Sequence, residues 1–353
     1  MRFVPALALA GVLAVAAAAA PAVGGAHAVP RGFSPETAAA VGARDLWVLG
    51  DYRCARDHCD ALVRSTDAGT HFVRVGLPSL PAQGSAPTIL FANARDGFAY
   101  VANATPLFAT RDGGLSWHRD GPDRHVTAFA AAGGYAYLLA GRHRLERSQV
   151  GRDAWQRLTL TVSHRPFSLA ARGTDVWFLG PPRHRPDFDT VGLSSDGGRT
   201  FAARKGPCLA ELGGTLVPAA GGVVWAVCPS GMMAELALSR NGGSTFPSIL
   251  SAHEHGGLRE PGLVNSARIA AASAHVAVLS RGGGGALLRT TDAGRHWKPV
   301  PGTARIAEVS WLGFATHRVG AALVQTRRGM QLRRTTDAGA TWHSVEFTGQ
   351  ASG

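Results

Sequence analysis

Charge is scarce in this sequence. Asp, Glu, Lys and Arg make up 17% of 353 residues, which excludes a long disordered chain kept open by self-repulsion. After the N-terminal segment no apolar run reaches membrane-spanning length. Nucleophile-elbow, phosphate-loop, zinc-protease and dinucleotide patterns are all missing, so the sequence offers no motif for those chemistries. Cysteine is limited to four residues, none near the N-terminal apolar segment, so a lipid-anchored form is not signalled.

What is abundant points to strands. Apolar residues reach 45% and glycine numbers 45, a composition suited to many short buried strands joined by tight turns. The length fits two average domains or one large all-β domain. Residues 1–28 read as a secretory signal: Met1 and Arg2, an apolar run from Phe3 to Ala20, Pro21, then Ala26-His27-Ala28 with cleavage expected after Ala28. As a membrane anchor the run is barely long enough to span, and the small-residue site behind it favours removal. A soluble, exported chain covering 29–353 is expected, without a membrane span.

In an oxidising compartment an even cysteine count favours two disulfides, and nearest neighbours pair Cys54 with Cys59 and Cys208 with Cys228. A metal reading of Cys54 and Cys59 lacks the second close Cys/His pair that a zinc site needs. The net charge is +12, and loss of Arg2 with the signal leaves +11. Such a surplus suits anionic polymers, although an Arg-rich compositional bias produces the same number.

The octapeptide TTDAGRHW at 290–297 returns as TTDAGATW at 335–342. Its pattern, Ser/Thr-x-Asp-x-Gly-x-x-aromatic, also begins at Ser65, Thr110, Ser194 and Ser239, the last with Asn241 in place of Asp. A seventh segment, SQVGRDAW at 148–155, keeps the first Ser and final Trp but loses the Asp and Gly. Successive starts are separated by 45, 38, 46, 45, 51 and 45 residues. Apolar strands such as FAYVA, VWFLG and VVWAVC precede each copy, with weaker Ala-rich strands upstream and short strands on either side of the octapeptide. Four strands per period near 45 residues predict one propeller blade each. The fold class expected is therefore all-β: a single seven-bladed β-propeller with the octapeptide between strands three and four of most blades.

These copies resemble the Asp-box, or BNR, repeats of sialidases, sortilin-type receptors, xyloglucanases and the photosystem II assembly factor family, over essentially the whole mature chain. In such a turn a carboxylate at the third position accepts backbone N–H bonds, and Gly at the fifth supplies a positive φ. Asp67, Asp112, Asp196, Asn241, Asp292 and Asp337 are accordingly expected to be structural, since a catalytic group is not needed once per blade.

Ligand contacts are then sought on the opposite face, in loops joining strands two to three and strand four to the next blade. Those loops carry Arg53, Arg56, Arg142, Arg144, Arg183, Arg185, Arg281, Arg327 and Arg328, together with Asp51, Tyr52, His58, Asp187 and Asp189. The resemblance to sialidases implies an arginine cluster holding a sugar carboxylate. It also implies a Tyr nucleophile with an acidic partner, an Asp acid/base and an Arg-Ile-Pro motif; no such motif occurs, and VPRGF at 29–33 is the nearest approach. Xyloglucanase chemistry needs two carboxylates across a cleft, usually between two propellers. No catalytic residue, metal or cofactor is assigned; His253 and His255, at alternate positions of a Gly-flanked loop, read as solvated rather than as ligands. The expectation is a secreted monomeric binding or scaffolding propeller for an anionic glycan, cell-surface polymer or protein, not nucleic acid, with a sialidase-like exo-glycosidase as the alternative.

Overall fold

The computed structural model describes residues 27–347 except 56, 82–84, 122, 142–143, 161–164, 183–187, 211 and 251–262, and among these it contains strands and no helix. Antiparallel pairing gathers the strands into seven sheets, each from consecutive chain. The first comprises Ser34–Val41, Asp45–Arg53, His58–Ser65 and Val73–Val75, hydrogen-bonded in that order. The same order repeats over 87–119, 126–157, 168–209, 215–250, 268–299 and 308–345; the fifth blade adds Leu263–Val264 beside its third strand.

First strands of successive blades touch all the way round, and Ser34–Val41 meets Glu308–Phe314 to close the ring. The innermost position falls to the Ala-rich strands because only small side chains pack at a crowded axis. Second strands are enclosed by the blades on both sides, so Gly97–Val101 is buried at every residue rather than alternately. That enclosure accounts for the unbroken apolar runs in the sequence. Seven apolar clusters result, one in each junction between blades. In the junction of blades one and two, Trp47 is fully buried and stacks on Phe91 at 3.8 Å between centroids. Truncating such a residue to Ala is expected to cost about 3–5 kcal/mol.

No strand is exchanged between the chain ends among the described residues. Blade seven supplies its own outer strand, His343–Val345, and blade one supplies its own. Apolar packing closes the ring instead: Phe347 lies 5.0 Å from both Phe33 and Phe72, ring to ring. At the outer edge of blade one the Arg74 N–H donates to the His27 carbonyl at 2.8 Å.

Cys54, just after the first blade's second strand, is bonded to Cys59 in its third, across the base of the connecting loop. Cys208 is bonded to Cys228, and this bridge ties the outer strand of blade four to the second strand of blade five.

Candidate binding faces

Strand direction divides the disc into two faces. One carries the connections between strands two and three and from strand four to the next blade. The other carries the first-to-second strand turns and the seven octapeptide segments.

On the turn face the repeated carboxylates are engaged within their own turns. Ser65 Oγ donates to Asp67 Oδ1 at 2.8 Å and accepts the Gly69 N–H at 2.7 Å, while the same Oδ1 accepts the Thr70 and His71 N–H groups at 3.1 and 2.9 Å. His71 Nδ1 reaches Oδ2 at 2.6 Å. Asp112, Asp196, Asp292 and Asp337 repeat the scheme with Ser116, Thr200, His296 and Thr341 on Oδ2. Asn241 reproduces it by donating from Nδ2 to Thr245 Oγ1 at 3.0 Å. The Thr200 N–H and hydroxyl hold the Asp196 carboxyl well below the usual carboxylate range, and His296 does the same for Asp292. Two consecutive positive φ angles make the turn, at positions four and five. Gly294 and Gly339 occupy position five without strain, whereas Ala293 (57°) and Ala338 (58°) hold position four.

Blade three replaces this scheme. Asp153, displaced three places along its segment, pairs with Arg111 and His118 of blade two. Ser148 Oγ accepts the Ala154 N–H at 2.9 Å.

Arginines lock each blade to the next on the same face. Arg64 donates to the Ala94 carbonyl (3.0 Å), Arg147 to Gly197 (2.5 Å), Arg240 to Ala293 (3.1 Å), Arg289 to Ala338 (2.8 Å) and Arg334 to Ala43 (3.2 Å). Arg111 with Asp153 serves the second junction. The junction of blades four and five has instead Trp177 Nε1 donating to Gly242 at 2.8 Å. Arg44, Arg95 and Arg318 clamp carbonyls within their own blades. Nine arginines are thus tied into the framework, a role the charge count alone concealed. For the six that cross between blades the sequence signal is phase: an Arg stands immediately before the octapeptide at 64, 147, 289 and 334, or at its second place at 111 and 240.

The loop face is mixed in charge. Arg53 and Arg144 are exposed at the ends of strands in blades one and three, and Arg327 and Arg328 are exposed in the hairpin of blade seven. Arg281, half-buried in blade six, precedes four glycines that all have positive φ. These five arginines lie on four different blades. Arg56, Arg142, Arg183, Arg185, Asp187, His253 and His255 fall outside the described residues.

Blade one adds acid to this face. Strand register places Asp51 opposite Asp60, and burial first, then the charges of Asp51 and Asp60, raise the Glu36 carboxyl. His58 Nδ1 meets Asp51 Oδ2 at 2.6 Å, and Tyr52 lies under the Arg74 guanidinium at 5.4 Å. Asp189 departs from its expected loop position. It lies inside the third strand of blade four, 2% exposed, with Oδ1 accepting the Cys208 N–H at 3.2 Å and Oδ2 without a partner among the described residues. Three exposed large apolar side chains, Leu209, Leu212 and Met232, belong to the loop-face ends and connections of blades four and five.

Among the described residues no group of three or more His, Cys, Asp or Glu side chains is arranged to hold a metal ion. Clefts open instead between blades on the turn face. One of about 610 Å³ is lined by Arg289, His296, Trp297 and Lys298, and one of about 340 Å³ lies between blades three and four.

The fold and its two faces define a seven-bladed β-propeller. No family model matches the chain, and no curated protein matches it. Among solved structures it is similar to YCF48 from Cyanidioschyzon merolae, at 15% identity over 75% of this chain and 86% of that one, with a TM-score of 0.53. It is also similar to the β-propeller domain of the Trilobed protease from Pyrococcus furiosus, described as having an open velcro topology, at 9% identity over 91% and 100% with a TM-score of 0.54. An ancestral GH74 enzyme matches at 12% identity over 87% of this chain with a TM-score of 0.55, and this chain spans 44% of that enzyme. At these identities the likeness is one of fold.

Proposed function

We propose that this chain is an exported, non-catalytic binding or scaffolding propeller of the Asp-box type, with a secretory signal over 1–28 and the mature domain over 29–353. It acts as a monomer without a cofactor and takes an anionic glycan, a cell-surface polymer or a protein partner on its loop face. The observation that carries this reading is the set of arginines at the loop face: Arg53, Arg144, Arg327 and Arg328 project from it, exposed and without an ion pair among the described residues. Exposed charge on a rigid scaffold is where a partner gains most. The two disulfides are consistent with an extracellular setting.

The test is an array of neutral, sialylated and other anionic glycans at low and physiological salt, recording retained protein and lost sugar. Wild-type protein is compared with a variant carrying Gln at Arg53, Arg144, Arg327 and Arg328. Selective retention that survives physiological salt and is lost in the variant supports the reading. Release of sialic acid would replace it with the hydrolase alternative. Retention equal in both proteins would remove the loop face from the account.

A further inference from the structure

The cleft between blades three and four lies on the other face and has a composition of its own. Its volume is about 340 Å³, within the range of small-ligand sites, while the corresponding cleft between blades seven and one measures about 10 Å³. Tyr135, Tyr137, Arg147, Thr174, Ser195 and Arg199 line it. Two of the chain's four tyrosines are therefore concentrated here.

Local structure explains the space. Ser195 holds the second place of the octapeptide, where Arg111 and Arg240 stand in blades two and five and Thr66, Thr291 and Thr336 in blades one, six and seven, so the blade-four turn has the smallest side chain of these. Gly197, with φ of 72°, has no side chain above the Tyr137 hydroxyl, which would lie 3.6 Å from a Cβ at that position. Tyr137 itself is 1% exposed and fixes the floor. Arg147 gives one Nη1–H to Gly197, stands 5.2 Å over the Tyr135 ring, and has a buried Nε with no partner among the described residues. Arg199 is exposed at the rim. The one acid in the lining, Asp196, already accepts from Ser194 and Thr200 side chains and from the Arg199 and Thr200 N–H groups.

We propose that this cleft binds an acidic sugar unit, its carboxylate held by Arg147 and Arg199 and its ring and hydroxyls met by Tyr135, Thr174 and Ser195. Two guanidinium groups supply charge-assisted bonds to the carboxylate. A phenol ring and two aliphatic hydroxyls match a polyhydroxylated ring better than a purely apolar acid.

The experiment is calorimetric titration of the full mature protein with galacturonic acid and its trimer, against galactose and its trimer, in physiological salt. Arg199→Gln removes one rim charge that is exposed and not needed for packing, and Tyr135→Leu removes the ring. The acid is expected to bind at least tenfold more tightly than the neutral sugar, and each variant to weaken it by about tenfold or more. The loop-face Gln variant is expected to leave this binding unchanged, which separates the two proposals. Absence of galacturonate binding, indifference to both cleft variants, or equal displacement by inorganic sulfate at the same concentration would each overturn the assignment.

Discussion

Replacing Asp189 by Asn is expected to remove a loss of stability that this fold suffers as pH rises from about 4 to about 7. The carboxyl is 2% exposed, accepts the backbone N–H of Cys208 on Oδ1, and its Oδ2 has no partner among the described residues. Burial raises it to about 7 from an ordinary 3.8, against the opposing pull of the Cys208 N–H and its own backbone N–H. Between those values the folded chain keeps a proton that the unfolded chain has released, so stability falls as pH rises through this window. About three pH units at about 1.4 kcal/mol each set a ceiling of about 4 kcal/mol, present at pH 4 and lost above pH 7. Asn keeps the Oδ1 acceptor and cannot ionise. Denaturant unfolding of both proteins at pH 5 and pH 8 measures the effect. The advantage of the variant over wild type should grow by about 2 kcal/mol or more between pH 5 and pH 8. Parallel pH slopes for the two proteins would refute the argument, because they would mean that Asp189 is charged in the folded state at no cost.

The turns carry the opposite dependence. Burial acts to raise the Asp337 carboxyl, but the Thr341 hydroxyl and N–H outweigh it and hold it at about 2; this stabilisation is present above the ordinary 3.8 and is lost as pH falls toward 2. Asp337→Asn should keep the fold within about 1 kcal/mol, as Asn241 does naturally, while Asp337→Ala should cost about 1–3 kcal/mol by stranding the Thr341 and Thr335 groups; thermal unfolding at pH 7 distinguishes them. Ala338→Gly should stabilise the protein by about 0.5–1 kcal/mol, since φ at this position is 58°, and a loss of melting temperature would contradict it. Changing Cys208 and Cys228 together to Ser opens a loop with a sequence separation of 20 and is expected to cost about 3 kcal/mol, read by chemical unfolding of the oxidised proteins.

The blades were legible because each turn makes the same local demands. A hydroxyl, a carboxylate or carboxamide, and a glycine at fixed spacing cannot be exchanged without leaving backbone donors unpaired, so the pattern persists where strand sequences drift. Arginine phase was equally present in the sequence but was submerged in a net charge, which records no positions. What sequence reasoning misplaced depends on register. Asp189 reads as a loop residue until the bulge between Phe188 and Thr190 draws it into the third strand, and the Asp51–Asp60 pairing exists only once strands two and three are aligned. The cleft between blades three and four joins Tyr135 to Arg199, 64 positions apart, through a contact that no local pattern encodes.

The junction of blades four and five differs from the others. The octapeptide at Ser194 has Leu193 before it and Ser195 at its second place, so it has no arginine in phase, and among the described residues Trp177 supplies the cross-blade bond on the turn face. On the loop face this junction has the Cys208–Cys228 bridge, the buried Asp189 and the exposed Leu209, Leu212 and Met232. A covalent tie therefore stands where the repeated arginine is missing. The bridge holds a junction whose loop-face end contains a buried carboxyl with one oxygen unpartnered among the described residues, and exposed apolar side chains. Simultaneous loss of the disulfide and ionisation of Asp189 should consequently be more than additive, since both act on one contact, and a double-mutant cycle at pH 8 measures that coupling directly.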